Sequence, residues 1–244
     1  MLSVYINRNV SDIVREDYRT ADVFKQYGIN YCCGGKVMLK DICDQRSIEY
    51  SEIDNALQKA TINLYLSNNL DFEGWNVEFL VDYIINVHHN YLNKMLPQLE
   101  SNLLSFVEGH KSKNPELVDI LAAFREISSL LVSHNRHEEE IIFPYIKQIA
   151  NTYRRKETYG NLFVRTLRKP LSTIELEHKK IGSLLQELSN ITRYYNFPED
   201  ACTNHQVIFR KLKEFDNDMS QHKYLENDIL FPKAIEIEKE LLRL

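Results

Sequence analysis

Glycine and proline are scarce in this chain, 7 and 6 among 244 residues. So few turn-formers do not suit a β fold of many short strands, and the abundance of Leu, Glu, Lys, Asn and Ile favours long helices. No apolar run approaches the roughly 18 to 20 residues that a membrane span needs, so no membrane is expected as a partner. The opening stretch "MLSVYINRNVSDIVRED" has no basic segment followed by an apolar one. That excludes the usual signal-peptide pattern and places the chain in the cytoplasm. A basic stripe is missing as well: acids and bases are mixed, the net charge is −5, and nucleic acid is not an expected partner. The four cysteines, Cys32, Cys33, Cys43 and Cys202, form no CxxC pair and no spread framework. In a reducing compartment they are thiols at rest.

What is present reads as all-α and falls into two regions. Residues 1–66 form a small helical domain. Ser11 or Asp12 caps a helix running to Tyr27 with Gly28 as its stop; a second helix covers about 37–45 and a third 51–66. The polar stretch "SNNLDFEGWN", residues 67–76, is a linker. Residues 77–244 are a four-helix bundle, with helices over 77–108, 115–150, 170–195 and 199–242. The first carries a seam of Ile85, His89, Leu92, Leu96, Leu99 and Leu103. The third carries Leu171, Ile174, His178, Ile181, Leu185 and Leu188. Both step by three and four residues, as a buried helix face does, and one histidine interrupts each. A long connection separates the second helix from the third.

The second and fourth helices hold an echo. "HNRHEEEIIFP" from 134 and "HKYLENDILFP" from 222 share His-x3-Glu-x3 followed by Ile or Leu, then Phe-Pro, at an offset of 88 residues. The seam histidines His89 and His178 repeat at an offset of 89, as do Leu96 with Leu185 and Leu99 with Leu188. Each half is therefore a helix with a seam histidine followed by a helix with His-x3-Glu: a duplicated helical hairpin.

Residues i and i+4 lie on one helix face, about 5 to 6 Å apart at Cβ. His134 with Glu138, and His222 with Glu226, each aim at one spot. Two hairpins packed about a pseudo-two-fold axis would bring both pairs together, and His89 and His178 would join them from the other helices. A single histidine on an apolar face is most often a packed core residue. Duplication of a purely structural hairpin, however, has no reason to keep both His-Glu pairs. Two ionised carboxylates alone in a core would be very costly and would repel each other. Metal cations remove that objection, and helical bundles build two-metal sites from inward carboxylates and histidines. The mixed nitrogen and oxygen set suits iron or manganese better than thiolate-loving metals; iron is the choice here, with zinc and manganese as alternatives. Neighbouring candidates fall outside this set. His88 sits beside the seam. His137 answers to Leu225, and Glu139 and Glu140 answer to Asn227 and Asp228, so these read as surface. Glu177, His110 and His205 lack partners, and Cys43 and Cys202 read as packing.

The paired His134-x3-Glu138-x3-Ile-Phe-Pro and His222-x3-Glu226-x3-Leu-Phe-Pro motifs resemble those of hemerythrin-like bundles. "YCCGGK" at 31–36, inside a short helical region, is similar to the leading domain of the repair-of-iron-centres (RIC) di-iron proteins. Together the two features cover nearly the whole chain. The resemblance implies a non-haem di-iron centre: histidine ligands at His89, His134, His178 and His222, with Glu138 and Glu226 bridging two iron ions that also share an oxo bridge. It implies repair of iron–sulfur clusters damaged by nitric oxide or oxidants, with damaged iron–sulfur proteins as partners and nitric oxide or dioxygen as small ligands. A homodimer is compatible with it. Oxygen-carrying hemerythrins use a fifth histidine and an aspartate; the frames here are two His-x3-Glu pairs with no His-x3-His, so reversible oxygen carriage is not expected. Cys32 and Cys33, before Gly34-Gly35 and a helix start near Lys36, are placed where thiolate is favoured, as a redox or iron relay. Two other functions compete: a di-iron reductase of nitric oxide or dioxygen, and a sensor of diatomic gas or redox state.

Overall fold

The computed structural model describes residues 5–32, 36–62, 70–156, 164 and 168–243, with backbone only for 168–173. Among these residues the chain is all-α, as expected, and its extended pairing is limited to an isolated antiparallel bridge between Asn9 and Met38. It divides into two compact units: residues 1–68 with 195–212, and residues 69–194 with 213–244.

The smaller unit holds four short helices: α1 (Val10–Glu16), α2 (Thr20–Gln26), α3 (Leu39–Arg46) and α4 (Tyr50–Ala60). The single helix expected over 11–27 is in fact two. Asp17 breaks it by adopting an extended conformation, while its carboxylate accepts the Arg19 amide and its carbonyl accepts the Thr20 hydroxyl. The Arg19 guanidinium and amide hold the Asp17 carboxyl below its ordinary range. The stop at Gly28 holds: its φ of +66° is the left-handed conformation that glycine adopts freely. The second helix begins at Leu39 rather than about 37, because the backbone of 37–40 pairs instead with 6–10, through Val10 N–H to Val37 O and Leu39 N–H to Arg8 O. Val10, Ile13, Phe24, Leu39, Ile53 and Leu57 form the core of this unit. Each such buried aliphatic or aromatic side chain contributes about 1.5 to 3 kcal/mol.

The larger unit is built from α5 (77–110), α6 (117–155), α7 (168–191) and the greater part of α8 (203–243). Three of these contain a π turn: Ile84–His89 in α5, Glu138–Ile142 in α6 and Leu225–Leu230 in α8. Phe143–Arg155 packs on Val77–Tyr83 and on Phe231–Arg243, while Leu117–His137 packs on Asn90–His110 and Arg168–Ile191. The expected seams are buried from Leu92 to Leu103 and from Ile174 to Leu188; the side chain of Leu171 lies outside the described residues. One seam position differs. Ile84, not Ile85, is fully buried, because the π turn adds a residue and shifts the helix face. Residues 72–75, inside the stretch expected to link the regions, include a 3-10 turn, and Phe72 and Trp75 pack on the core of this unit.

Along every bundle helix the polar residues of interest sit between apolar layers. Ile84 and Leu92 flank His88 and His89, Leu131 and Ile142 flank His134 and Glu138, and Ile174 and Ile181 flank His178. Met219 and Ile229 flank His222 and Glu226. The layers position the site by excluding water above and below it.

Candidate metal centre

His89, His134, Glu138, His178, His222 and Glu226, the six residues singled out from the sequence, all converge and all are buried. They form two overlapping groups, His89/His222 and His134/His178, each with both glutamates, and the facing atoms of each group lie within 4.8 Å of one another. Glu138 Oε2 is 3.4 Å from both His89 Nε2 and His134 Nε2. Glu226 faces His222 Nε2 at 2.8 Å and His178 Nε2 at 3.4 Å. Each carboxylate thus lies between one histidine of each pair.

The echoed Phe-Pro ends explain how the glutamates arrive there. Pro144 and Pro232 have no N–H, so a regular α ladder would lose a bond at each. Just before them the helix widens by one residue: the Phe143 N–H reaches the Glu138 carbonyl, and the Phe231 N–H reaches the Glu226 carbonyl. These are the i to i+5 bonds of a π turn, a feature found often at functional sites. The phenylalanines then clamp the seam histidines, Phe143 stacking on His89 and Phe231 on His178 with centroids 5.6 and 6.2 Å apart.

Groups outside the six fix the rings. His89 Nδ1–H donates to Glu139 Oε1, His134 Nδ1–H to Glu177 Oε2 and His178 Nδ1–H to Asn227 Oδ1, each at 2.8 Å. Glu139 is exposed, as expected of a surface residue, yet it holds His89; Glu177, expected to lack a partner, has one in His134. The available signal was positional: Glu139 and Asn227 occupy equivalent places in the two halves, directly after the glutamates of the site. His88 is also corrected. It does not sit beside the seam but is fully buried, because the π turn rotates both histidines inward.

With their Nδ1 hydrogens committed, His134 and His178 turn Nε2 lone pairs toward each other at 2.9 Å. His89 and His222 oppose their Nε2 atoms at 3.2 Å. Burial holds three of the rings neutral, pushing His134 and His222 down to about 3 and His178 to about 4, with neighbouring imidazoles adding to the effect. Burial also raises both carboxyls, Glu226 to about 8 and Glu138 well above the carboxylate range, where the facing Glu226 adds to the rise. Both Glu138 oxygens are buried without a hydrogen-bond donor. Opposed lone pairs and orphaned carboxylate oxygens at zero exposure are the wrong arrangement for a closed polar core. They fit two cations bound by nitrogen and oxygen ligands.

The cysteines are less completely placed. Cys33 lies outside the described residues. Cys32 is half-buried, and its N–H donates to Asn30 Oδ1 at 2.9 Å. Because α3 starts at Leu39, the expected helix N-terminus is several residues away from Cys32. Cys43 is buried, and burial pushes its thiol up.

Two known families match successive parts of the chain. Residues 80–234 match the family described as the hemerythrin HHE cation binding domain, and residues 6–61 match the ScdA N-terminal domain, described as a domain of unknown function (DUF542). A "probable iron-sulfur cluster repair protein" of Haemophilus influenzae is 27% identical over 87% of this chain and 90% of its own length. The iron-sulfur cluster repair protein ScdA of Staphylococcus epidermidis is 26% identical over 92% of this chain and 96% of its own. The iron-sulfur cluster repair protein YtfE of Escherichia coli is 26% identical over 95% and 98%.

Proposed function

The chain belongs to the hemerythrin HHE cation-binding family, and on that premise we propose that it is a di-iron protein that repairs damaged iron–sulfur clusters. One observation carries the reading: in a buried place, two carboxylates are each shared between two histidine pairs. The chain also unites the two domains in the order expected of RIC proteins, and it is similar over nearly its whole length to proteins named for cluster repair.

His89 and His222 would hold one iron, His134 and His178 the other, and Glu138 and Glu226 would bridge them. When bound, the pair supplies iron in a redox-active, oxygen-ligated form. The protein's own residues present it: Glu139, Glu177 and Asn227 keep three imidazoles in the tautomer whose Nε2 is free to bind. Ile142, Phe143, Leu230 and Phe231 keep water from the carboxylates. Residues 1–66 would act as the cysteine-bearing module, with Cys32 and Cys33 relaying iron or electrons, and 67–76 as its connection to the bundle. Clients would be cytoplasmic iron–sulfur proteins damaged by nitric oxide or oxidants. No described helix is long and apolar enough to cross a membrane.

The test takes anaerobically loaded protein carrying about two irons by elemental analysis, and a cluster enzyme inactivated by peroxide or nitric oxide. Recovery should exceed that given by the same amount of free ferrous iron. Equal recovery would refute repair, and steady consumption of nitric oxide or dioxygen with an electron donor would replace it with a reductase.

A further inference from the structure

The duplication that gathers the six residues is broken in one place. The offset that carries His89 to His178 also carries His88 to Glu177, and the offset that carries His134 to His222 carries Leu130 to Asp218. Glu177 accepts the Nδ1–H of His134 at 2.8 Å. In the opposite half its place is taken by His88, which cannot serve His222 in the same way. His88 gives its own Nδ1–H to Asp218 Oδ1 at 2.9 Å. Its ring lies parallel to that of His222, with planes 9° apart and centroids 5.4 Å apart. A ring nitrogen directs its hydrogen in the ring plane, so a partner stacked on the ring face cannot accept it. His222 Nδ1 accordingly has no hydrogen-bond partner, although the residue is 1% exposed, and His88 Nε2 has none either. Of the four imidazoles, three are backed by an oxygen acceptor and His222 is not.

We propose that the two cation sites are unequal, and that the one completed by His89 and His222 is the weaker. The proposal rests on the reading of the centre as a cation pair. An acceptor on the far nitrogen raises the basicity of an imidazole and fixes its orientation, and losing such an acceptor costs 10- to 100-fold in metal affinity. His88 with Asp218 keeps the His222 ring in place by stacking but supplies no acceptor. Glu177 supplies one to His134, in the half where the apolar Leu130 stands at the position of Asp218. The sites should therefore differ by roughly 10- to 100-fold in affinity.

The experiment uses the full chain loaded anaerobically with two ferrous ions, titrated with a chromogenic ferrous chelator. Iron should leave in two equal steps whose iron dissociation constants differ by roughly 10- to 100-fold. Glu177→Leu, a change at a half-exposed residue, should move the tighter step toward the weaker one. The double variant His88→Glu/Asp218→Leu gives the second half the arrangement of the first and should move the weaker step toward the tighter one. Helix content by circular dichroism checks the folding of each variant, and the two steps of the unaltered chain test the proposal without any variant. Release of both irons in one step would overturn the inequality and leave the cation pair standing. So would Glu177→Leu leaving the tighter step in place. Failure of the unaltered chain to bind iron would overturn both.

Discussion

Stripping the metals should invert the way stability depends on pH above neutrality, and the size of the effect follows from the buried carboxyls. In the metal-free fold Glu226 keeps its proton up to about pH 8, against an ordinary value of 4.5. Glu138 is likewise raised well above that ordinary value, by burial and by the facing Glu226. Between those limits the unfolded chain has lost protons that the folded chain retains, so stability falls as pH rises. Each retained proton costs about 1.4 kcal/mol per pH unit, so Glu226 alone removes about 2 kcal/mol between pH 6.5 and 8. Below pH 6.5 the sign reverses. His134, His178 and His222 stay neutral in the fold, down to about 3 or 4, while the unfolded chain protonates its histidines. Three histidines then outweigh two carboxyls, and stability falls as pH drops. The metal-free protein should be most stable near pH 6.5. The assay is urea unfolding of chelator-stripped protein from pH 5 to 8.5, beside iron-loaded protein, whose carboxylates would be ionised and paired and whose stability should not fall above pH 6.5. Metal uptake at pH 7 should release at least one proton per chain, measured by calorimetry in buffers of different ionisation enthalpy. A stripped protein that gains stability from pH 6.5 to 8, or uptake without proton release, would refute the reasoning.

Further outcomes follow from the same geometry. Glu138→Ala removes a carboxylate shared by both histidine pairs, so bound metal should fall from about two ions to less than one by elemental analysis, while helix content persists. Phe124, buried and meeting Phe215 edge-to-face at 5.6 Å and 71°, should cost about 3 to 5 kcal/mol on replacement by Ala, read as a lower urea midpoint of the metal-free protein. The double change Cys32→Ser/Cys33→Ser should lower cluster repair and leave iron content unchanged, measured on one preparation by enzyme recovery and metal analysis.

Much of this site was legible because the duplication repeats the chemistry along with the leucines. Six residues recur in matched frames, and spacing by three and four places them on buried faces. The short helices near the start were harder to read, since a local competitor decided each boundary. Asp17 draws the Arg19 amide away from a continuous helix, and the backbone of 6–10 captures 37–40 before α3 begins. Periodicity does not register such competitors.

The supporting groups were missed for a different reason. A reading that assumes 3.6 residues per turn throughout cannot find Glu139 and His88, because the helices that carry them widen by one residue at the site; Glu177 lies on the regular helix α7, and only the tertiary fold brings it to His134. A π turn advances the inward face by one position, so two consecutive residues can both serve the centre: one reaches it, and the next accepts from an imidazole there. Glu138 with Glu139, and Glu226 with Asn227, work in this way: the second member of each accepts from a seam histidine of the other helix. His88 with His89 shows the same doubling. The sequence did carry the mark of two of these turns, in the prolines six residues after Glu138 and Glu226. A proline lacking an N–H removes one rung of the α ladder, and at Pro144 and Pro232 the turn just before it slips and supplies the extra residue. The echoed Phe-Pro is thus part of the site: its proline widens the helix beside the glutamate, and its phenylalanine packs the ring of the seam histidine.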